Sequence, residues 1–191
     1  AKINLGLNIV NNRPDGYHNI ESCFYPIPWK EGLEIIQADT FKFSSSGLKI
    51  PEDPQGNLCV RAYELLKEDF DLAPVAIHLH KNIPIGAGLG GGSADAAEAL
   101  KLLNILFDLK ISQVKLEEYA SILGSDCPFF IQNQPVYAIE TGTTFQPIKI
   151  ALQDYYIQLI YPGIHISTAE AYAGISPSSP AISAIDVIES K

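Results

Sequence analysis

A chain of 191 residues that is 47% apolar and 18% charged has the make-up of a globular protein able to bury one good core, or one domain and part of another. Its 13 basic and 22 acidic residues leave a formal charge of −9, which argues against a nucleic-acid groove or an anionic membrane surface as the main partner. Cys23, Cys59 and Cys127 have neither paired nor metal-ligand spacing, and no signal peptide or membrane span is recognisable, so a cytoplasmic protein without disulfides is expected. The lack of methionine and the strand-like opening read as a segment of a longer product.

Residues 2–10 alternate polar and apolar, the period of a half-buried strand, and this places Lys2 and Asn4 on one face. Taken alone, Lys2 reads as a solvated edge charge. Asn12-Arg-Pro-Asp-Gly signals a turn, and a β-rich composition resumes over 17–26. His18, just past that turn, reads on its own as a satisfied turn histidine. Short strands are expected over 33–38 and 41–45, with a turn at Asp39 between them. Asn57 is placed to N-cap a helix running to about Phe70, with Leu58, Ala62, Leu65 and Leu66 on one face. Residues 75–81 then form a strand that runs into a glycine-rich stretch.

That stretch reads Pro84-Ile85-Gly86-Ala87-Gly88-Leu89-Gly90-Gly91-Gly92-Ser93, with five glycines between positions 86 and 92. Glycine lets the backbone enter positive φ and approach a ligand closely. The helix expected over 94–107 offers unpaired N–H groups and a positive dipole end, and the two features together make an anion cradle, most often for phosphate. No Lys-Ser/Thr closes it in the manner of a Walker A loop. A G-x-G-x-x-G reading on Gly86, Gly88 and Gly91 is spoiled by Pro84 and by the lack of an acidic strand end about 20 residues on. A flexible linker would not be flanked by an apolar strand and an alanine-rich helix.

Beyond the loop, Ala96, Ala99, Leu100, Leu103 and Leu106 share the helix's core face, and a further helix runs from Ser112 to Gly124, which suits a left-handed C′ position. Asp126 follows, where one helix stops and Pro128 permits another; on its own it reads as a cap. Strands are expected over 136–140, 145–150 and 155–161, the last ended by Pro162-Gly163. Ser167, Thr168 and Tyr172 come next, Tyr172 reading by itself as core, before a Ser/Pro-rich linker over 175–183. No internal repeat is visible. Strands and helices interleave irregularly, so an α+β fold with a mixed sheet is expected.

In combination these stretches resemble the GHMP kinases, the group that includes galactokinase, homoserine kinase and mevalonate kinase. The resemblance rests on the loop 84–93, on Arg13-Pro-Asp-Gly-Tyr-His18, on Asn57-Leu58 with Arg61-Ala62, on Gly124-Ser-Asp-Cys-Pro-Phe-Phe130, and on Tyr161-Pro-Gly-Ile-His-Ile-Ser-Thr-Ala-Glu-Ala-Tyr172. It runs from Ala1 to about Tyr172, and within the group it points to the members that phosphorylate a cytidine-diphosphate-linked methylerythritol in non-mevalonate isoprenoid synthesis. Homoserine- or mevalonate-type kinases, or a nucleotide-binding segment without activity, are the alternatives. The implied fold is the GHMP N-terminal domain, of the ribosomal protein S5 domain 2 type, over 1–152. Residues 153–191 would open a second α+β domain whose glycine/serine-rich motif lies beyond Lys191.

The resemblance also implies roles. ATP would lie on Pro84 to Ser93 with Asn57 and Lys81 on the adenine side, and Mg²⁺ would arrive with it, Ser93 being the one hydroxyl offered. Asp126 would accept the proton of the attacking hydroxyl, with Lys2 beside it. Tyr17 and Tyr172 would sandwich the cytosine, His18 would meet its edge, and Asn4 and Thr168 would serve the rest of the substrate. A monomer or weak homodimer is expected, with no nucleic-acid or membrane partner.

Overall fold

The computed structural model describes residues 1–50, 53–164, 170–171 and 174–189. In chain order its elements are β1 (Lys2–Asn12), β2 (His18–Pro26), β3 (Gly32–Gln37), β4 (Lys42–Gly47), a 3-10 turn (Pro54–Gly56), α1 (Leu58–Asp69), β5 (Val75–Lys81), α2 (Gly91–Leu106), α3 (Gln113–Leu123), α4 (Cys127–Gln132), β6 (Val136–Glu140), β7 (Thr144–Pro147) and α5 (Ala184–Glu189). The class is α+β as expected, but the strands divide into two sheets. These belong to two units of the chain, one built on 27–85 and 89–133, the other on 2–26, 86–88 and 134 onward.

In the first unit, β3, β5 and β4 form a sheet in that order, β3 antiparallel and β4 parallel to β5. The two short strands around Asp39 are therefore not neighbours. The parallel pair β4 and β5 needs a crossover, and α1 supplies it. Asn57 caps α1 as expected, its Oδ1 accepting from Cys59 N at 2.9 Å, and Ser112 caps α3 by accepting from Lys115 N at 3.3 Å. Helix α2 packs against α1, α3 and α4. Val60, Leu66, Ile77, Leu79, Leu100, Leu103 and Phe129 fill the core between these helices and the sheet. Gly124 does end α3, but at φ 170°, an extended conformation open to any residue, and not in the left-handed state expected of a C′ glycine.

In the second unit, β1, β2, β6 and β7 make an antiparallel sheet in that order. Strand β1 is not a simple alternation. Its register slips between Leu5 and Leu7, where Gly6 takes φ 70°, and an extra residue there reverses which parity faces inward. Lys2, expected as a solvated edge charge, is buried at 5% exposure, and Ile9 beyond the slip at 7%. The strand expected over 155–161 does not form. A strand exists by pairing, and among the described residues none lies alongside this segment, which leaves Tyr155, Tyr156 and Ile160 in solvent.

No helix among the described residues is long and apolar enough to cross a membrane. The three cysteines are buried and free.

One buried carboxylate ties the second unit together. Glu21 on β2 accepts from Tyr137 Oη of β6 at 2.6 Å, from Asn8 Nδ2 of β1 at 2.8 Å and from the Ala184 N–H that opens α5 at 3.2 Å. Burial alone would raise its pKa, but the donors Tyr137, Asn8 and Ala184 outweigh burial and hold it below the usual glutamate value. Because the folded pKa is depressed, this contribution is present above about pH 4.3 and is lost as pH falls through the folded value. Tyr137→Phe should therefore lower stability by about 1.5–3 kcal/mol at pH 7, the worth of a hydrogen bond to a charged group. The deficit should shrink in denaturant titrations run at progressively lower pH, and a deficit that stayed constant would contradict this assignment.

Candidate active site

The glycine-rich stretch connects β5 to α2 within a few residues, and its conformation follows from its composition. Gly86, Gly88 and Gly90 sit at φ 72°, 73° and 67°. Left-handed residues at alternate positions are what turn successive N–H groups toward a common point. The helix starts at Gly91, earlier than the expected 94, so Gly91, Gly92 and Ser93 form its first turn. Glycine's poor helix propensity concealed this start. The first helical bond runs from Ala94 N to Gly90 O at 2.8 Å, which places the N–H groups of residues 91–93 ahead of the helical ladder. Gly90, the N-cap, has no side chain to serve them.

Beneath that turn lies a buried cluster of charge. Lys81 Nζ, at the end of β5, is 2.8 Å from the Glu31 carboxylate and 2.8 Å from Asp95 Oδ2 on α2. Glu31 Oε1 also accepts the N–H groups of Asn82 at 3.2 Å and Ile83 at 3.0 Å. Burial pushes the Asp95 carboxyl up to about 7, helped by its hydrogen bond to Glu31 and opposed by Lys81. Burial would also raise Glu31, but donors from Asp95, Lys81 and Ile83 hold it below the glutamate range. Burial would lower Lys81, and the two carboxylates outweigh it. A Cβ on Gly91 would come within 3.2 Å of both Lys81 Nζ and Ile83 Cγ2, so any other residue here would press on its neighbours. Lys81, expected as a nucleotide contact, thus has its ammonium fully engaged behind the loop.

The other expected residues of this unit gather at the same helix start. Leu58, next to the capping Asn57, would lie 3.8 Å from a Cβ on Gly92. The Ser93 hydroxyl faces the Cys127 thiol and lowers its pKa, but burial outweighs it and raises the thiol to about 11, leaving it unreactive. Asp126, adjacent to Cys127, holds the N-cap position of α4, yet its side chain makes no capping bond. The plain reading of Asp126 as a helix cap therefore fails, and its half-buried carboxylate lies one residue from a side chain that touches α2.

The second unit carries the rest. Lys2 Nζ donates to Asn4 Oδ1 at 2.7 Å and lies 4.4 Å above the Phe24 ring, a cation–π distance. Tyr17 is 67% exposed on a stiffened turn. There Arg13 grips Asp15 through Nε and Nη2 at 2.9 and 2.8 Å, and Asp15 Oδ1 accepts from Tyr17 N at 3.1 Å. His18 follows, half-buried, as the first residue of β2. Thr168 and Tyr172 lie outside the described residues. Sequence reasoning missed Glu31 and Asp95. Asp95 did leave a signal, since it stands four residues after Gly91 and four before Ala99, on the face that the helix buries.

A model of the GHMP kinases N terminal domain matches residues 57–134. The 4-diphosphocytidyl-2-C-methyl-D-erythritol kinase of Cytophaga hutchinsonii is 56% identical over 180 residues, covering 94% of this chain and 67% of that protein. Its namesake in Parabacteroides distasonis is 50% identical over 188 residues, covering 98% and 69%. A crystal structure of 4-(cytidine 5'-diphospho)-2C-methyl-D-erythritol kinase aligns with 100% of this chain and 68% of its own, at a TM-score of 0.80 and 30% identity. With the glycine loop, the helix start and these matches in agreement, the chain belongs to the GHMP kinase family, in its 4-diphosphocytidyl-2-C-methyl-D-erythritol kinase branch.

Proposed function

We infer that the chain is an ATP-dependent kinase that phosphorylates a hydroxyl of 4-diphosphocytidyl-2-C-methyl-D-erythritol, in the synthesis of isoprenoid precursors. The observation that carries the reading is the start of α2, where amides of residues 91–93 precede the helical ladder and left-handed glycines lead into them. Such a site binds phosphate with N–H groups and the helix dipole.

Phosphoryl transfer gives a protein little covalent work, so positioning and charge stabilisation dominate. In our reading the amides of 86–93 hold the triphosphate, and Asn57 with Leu58 borders the adenine. Ser93 Oγ would be the hydroxyl to hold the Mg²⁺ that accompanies ATP, and that ion would offset phosphate charge. Asp126 receives the proton of the attacking hydroxyl, which leaves late when the transition state is loose. The Lys2 ammonium offsets charge gathering on the transferred oxygens. Tyr17, exposed on a braced turn, stacks on the cytosine together with Tyr172, while His18 meets the base edge and Asn4 and Thr168 contact the remainder. Residues 153–191 open a second domain of the kinase, and the cytoplasm is its place of work.

Three outcomes are expected of the full chain. Asp126→Ala should lower kcat by about 10²–10⁴, the range for a positioned acid or base, with its melting temperature retained; parental turnover would remove Asp126 from the reaction. Tyr17→Ala should raise KM for the cytidine substrate by about 5- to 150-fold, the equivalent of about 1–3 kcal/mol of base stacking, with KM for ATP unmoved. A CDP-linked alcohol should raise the melting temperature where homoserine and mevalonate do not, and stabilisation by homoserine would favour a different acceptor.

A further inference from the structure

We propose that Asp95 is a positioning residue for this kinase: through Lys81 and Glu31 it fastens the start of α2 to the end of β5, and so sets the spacing of the two flanks of the phosphate-binding loop. The proposal rests on the kinase reading above and assigns a role to groups that reading does not use.

The connectivity of the cluster is specific. Glu31 grips the upstream flank, since Oε1 accepts the N–H groups of Asn82 and Ile83. Asp95 grips the downstream flank, since it lies one helical turn beyond Gly91 on the same face. Lys81 Nζ is 2.8 Å from each carboxylate and sits directly under Gly91. One ammonium therefore joins both flanks. A cluster of this kind has little to offer global stability, because desolvation offsets most of what buried ion pairs gain. What it can do is hold geometry, and a displacement of about 1 Å in a positioning element can cost about 100-fold in rate.

Its charge also suits the site. With burial pushing the Asp95 carboxyl up to about 7, the cluster carries less negative charge behind amides meant for a polyanion than two full carboxylates would.

The test compares two variants in the full chain. Asp95→Asn preserves both bonds, its amide N–H donating to Glu31 and its oxygen accepting from Lys81. Asp95→Leu removes both with a larger apolar side chain. Calorimetric binding of Mg·ATP should weaken by about 10- to 100-fold in Asp95→Leu, with KM for ATP rising in parallel. KM for the cytidine substrate should stay within about twofold, and Asp95→Asn should remain within about threefold of the parent in every constant. Amide hydrogen exchange should rise at Ile83 and at residues 91–93 in Asp95→Leu but not in Asp95→Asn. If Asp95→Leu does not fold, Asp95→Ser carries the same comparison. A folded Leu or Ser variant with parental Mg·ATP affinity would overturn the proposal, as would an Asn variant as impaired as Leu. Failure of the parent itself to bind Mg·ATP would overturn instead the nucleotide reading on which the clamp stands.

Discussion

Peptide N–H groups at the start of an α-helix cannot be satisfied by that helix, and a buried polar group without a partner is costly. At the start of α2 the usual remedy is absent, because Gly90 brings no capping side chain and Gly91 and Gly92 bring none either. The amides there are therefore available to an anion. Everything nearby follows from keeping that helix start in place without covering it. Glycine at Gly91 lets α2 approach Ile83 and Lys81, and the left-handed state at Gly90 turns the chain into the helix. Glycines are poor helix formers, by about 1 kcal/mol each relative to alanine. The burial of Ala96, Ala97, Ala99, Leu100 and Leu103 offsets that weakness one turn further along.

An acidic protein that binds a triphosphate cannot rely on overall attraction. The chain carries a formal charge of −9, and its loop contains no cation. The lysine nearest the loop in sequence, Lys81, is engaged with two carboxylates, which makes it a structural link between strand and helix. Lys2, on a different sheet, is held against Asn4 and the Phe24 face. In the proposed reading, binding then comes from dipoles at fixed positions. Those are effective because they need no reorganisation when the charge arrives.

Much of this is legible in the sequence, in the places where chemistry is local. The caps at Asn57 and Ser112 depend on an oxygen and an N–H two or three residues away, and both formed as expected. The span of β5 was bounded by its own alternation and the proline that follows. The start of α2 was misjudged because propensity is a weak guide where packing holds a glycine turn in place. The burial of Lys2 escapes the sequence because an isolated lysine is usually solvated, whereas here Asn4 and the Phe24 ring hold its ammonium. The segment 155–161 has the aromatic and apolar composition of a strand, but composition cannot supply a neighbour.

By itself, then, the sequence determined the glycine loop, the helices and their caps, and the motifs that mark the family, all properties of residues close together along the chain. Tertiary structure decided which charges are buried and who holds them. Glu31 meets Lys81 across 50 residues, and Glu21 meets Tyr137 across 116. No periodicity encodes such pairs, because a buried carboxylate is tolerated only where distant donors converge on it, and that convergence exists only once the chain has folded.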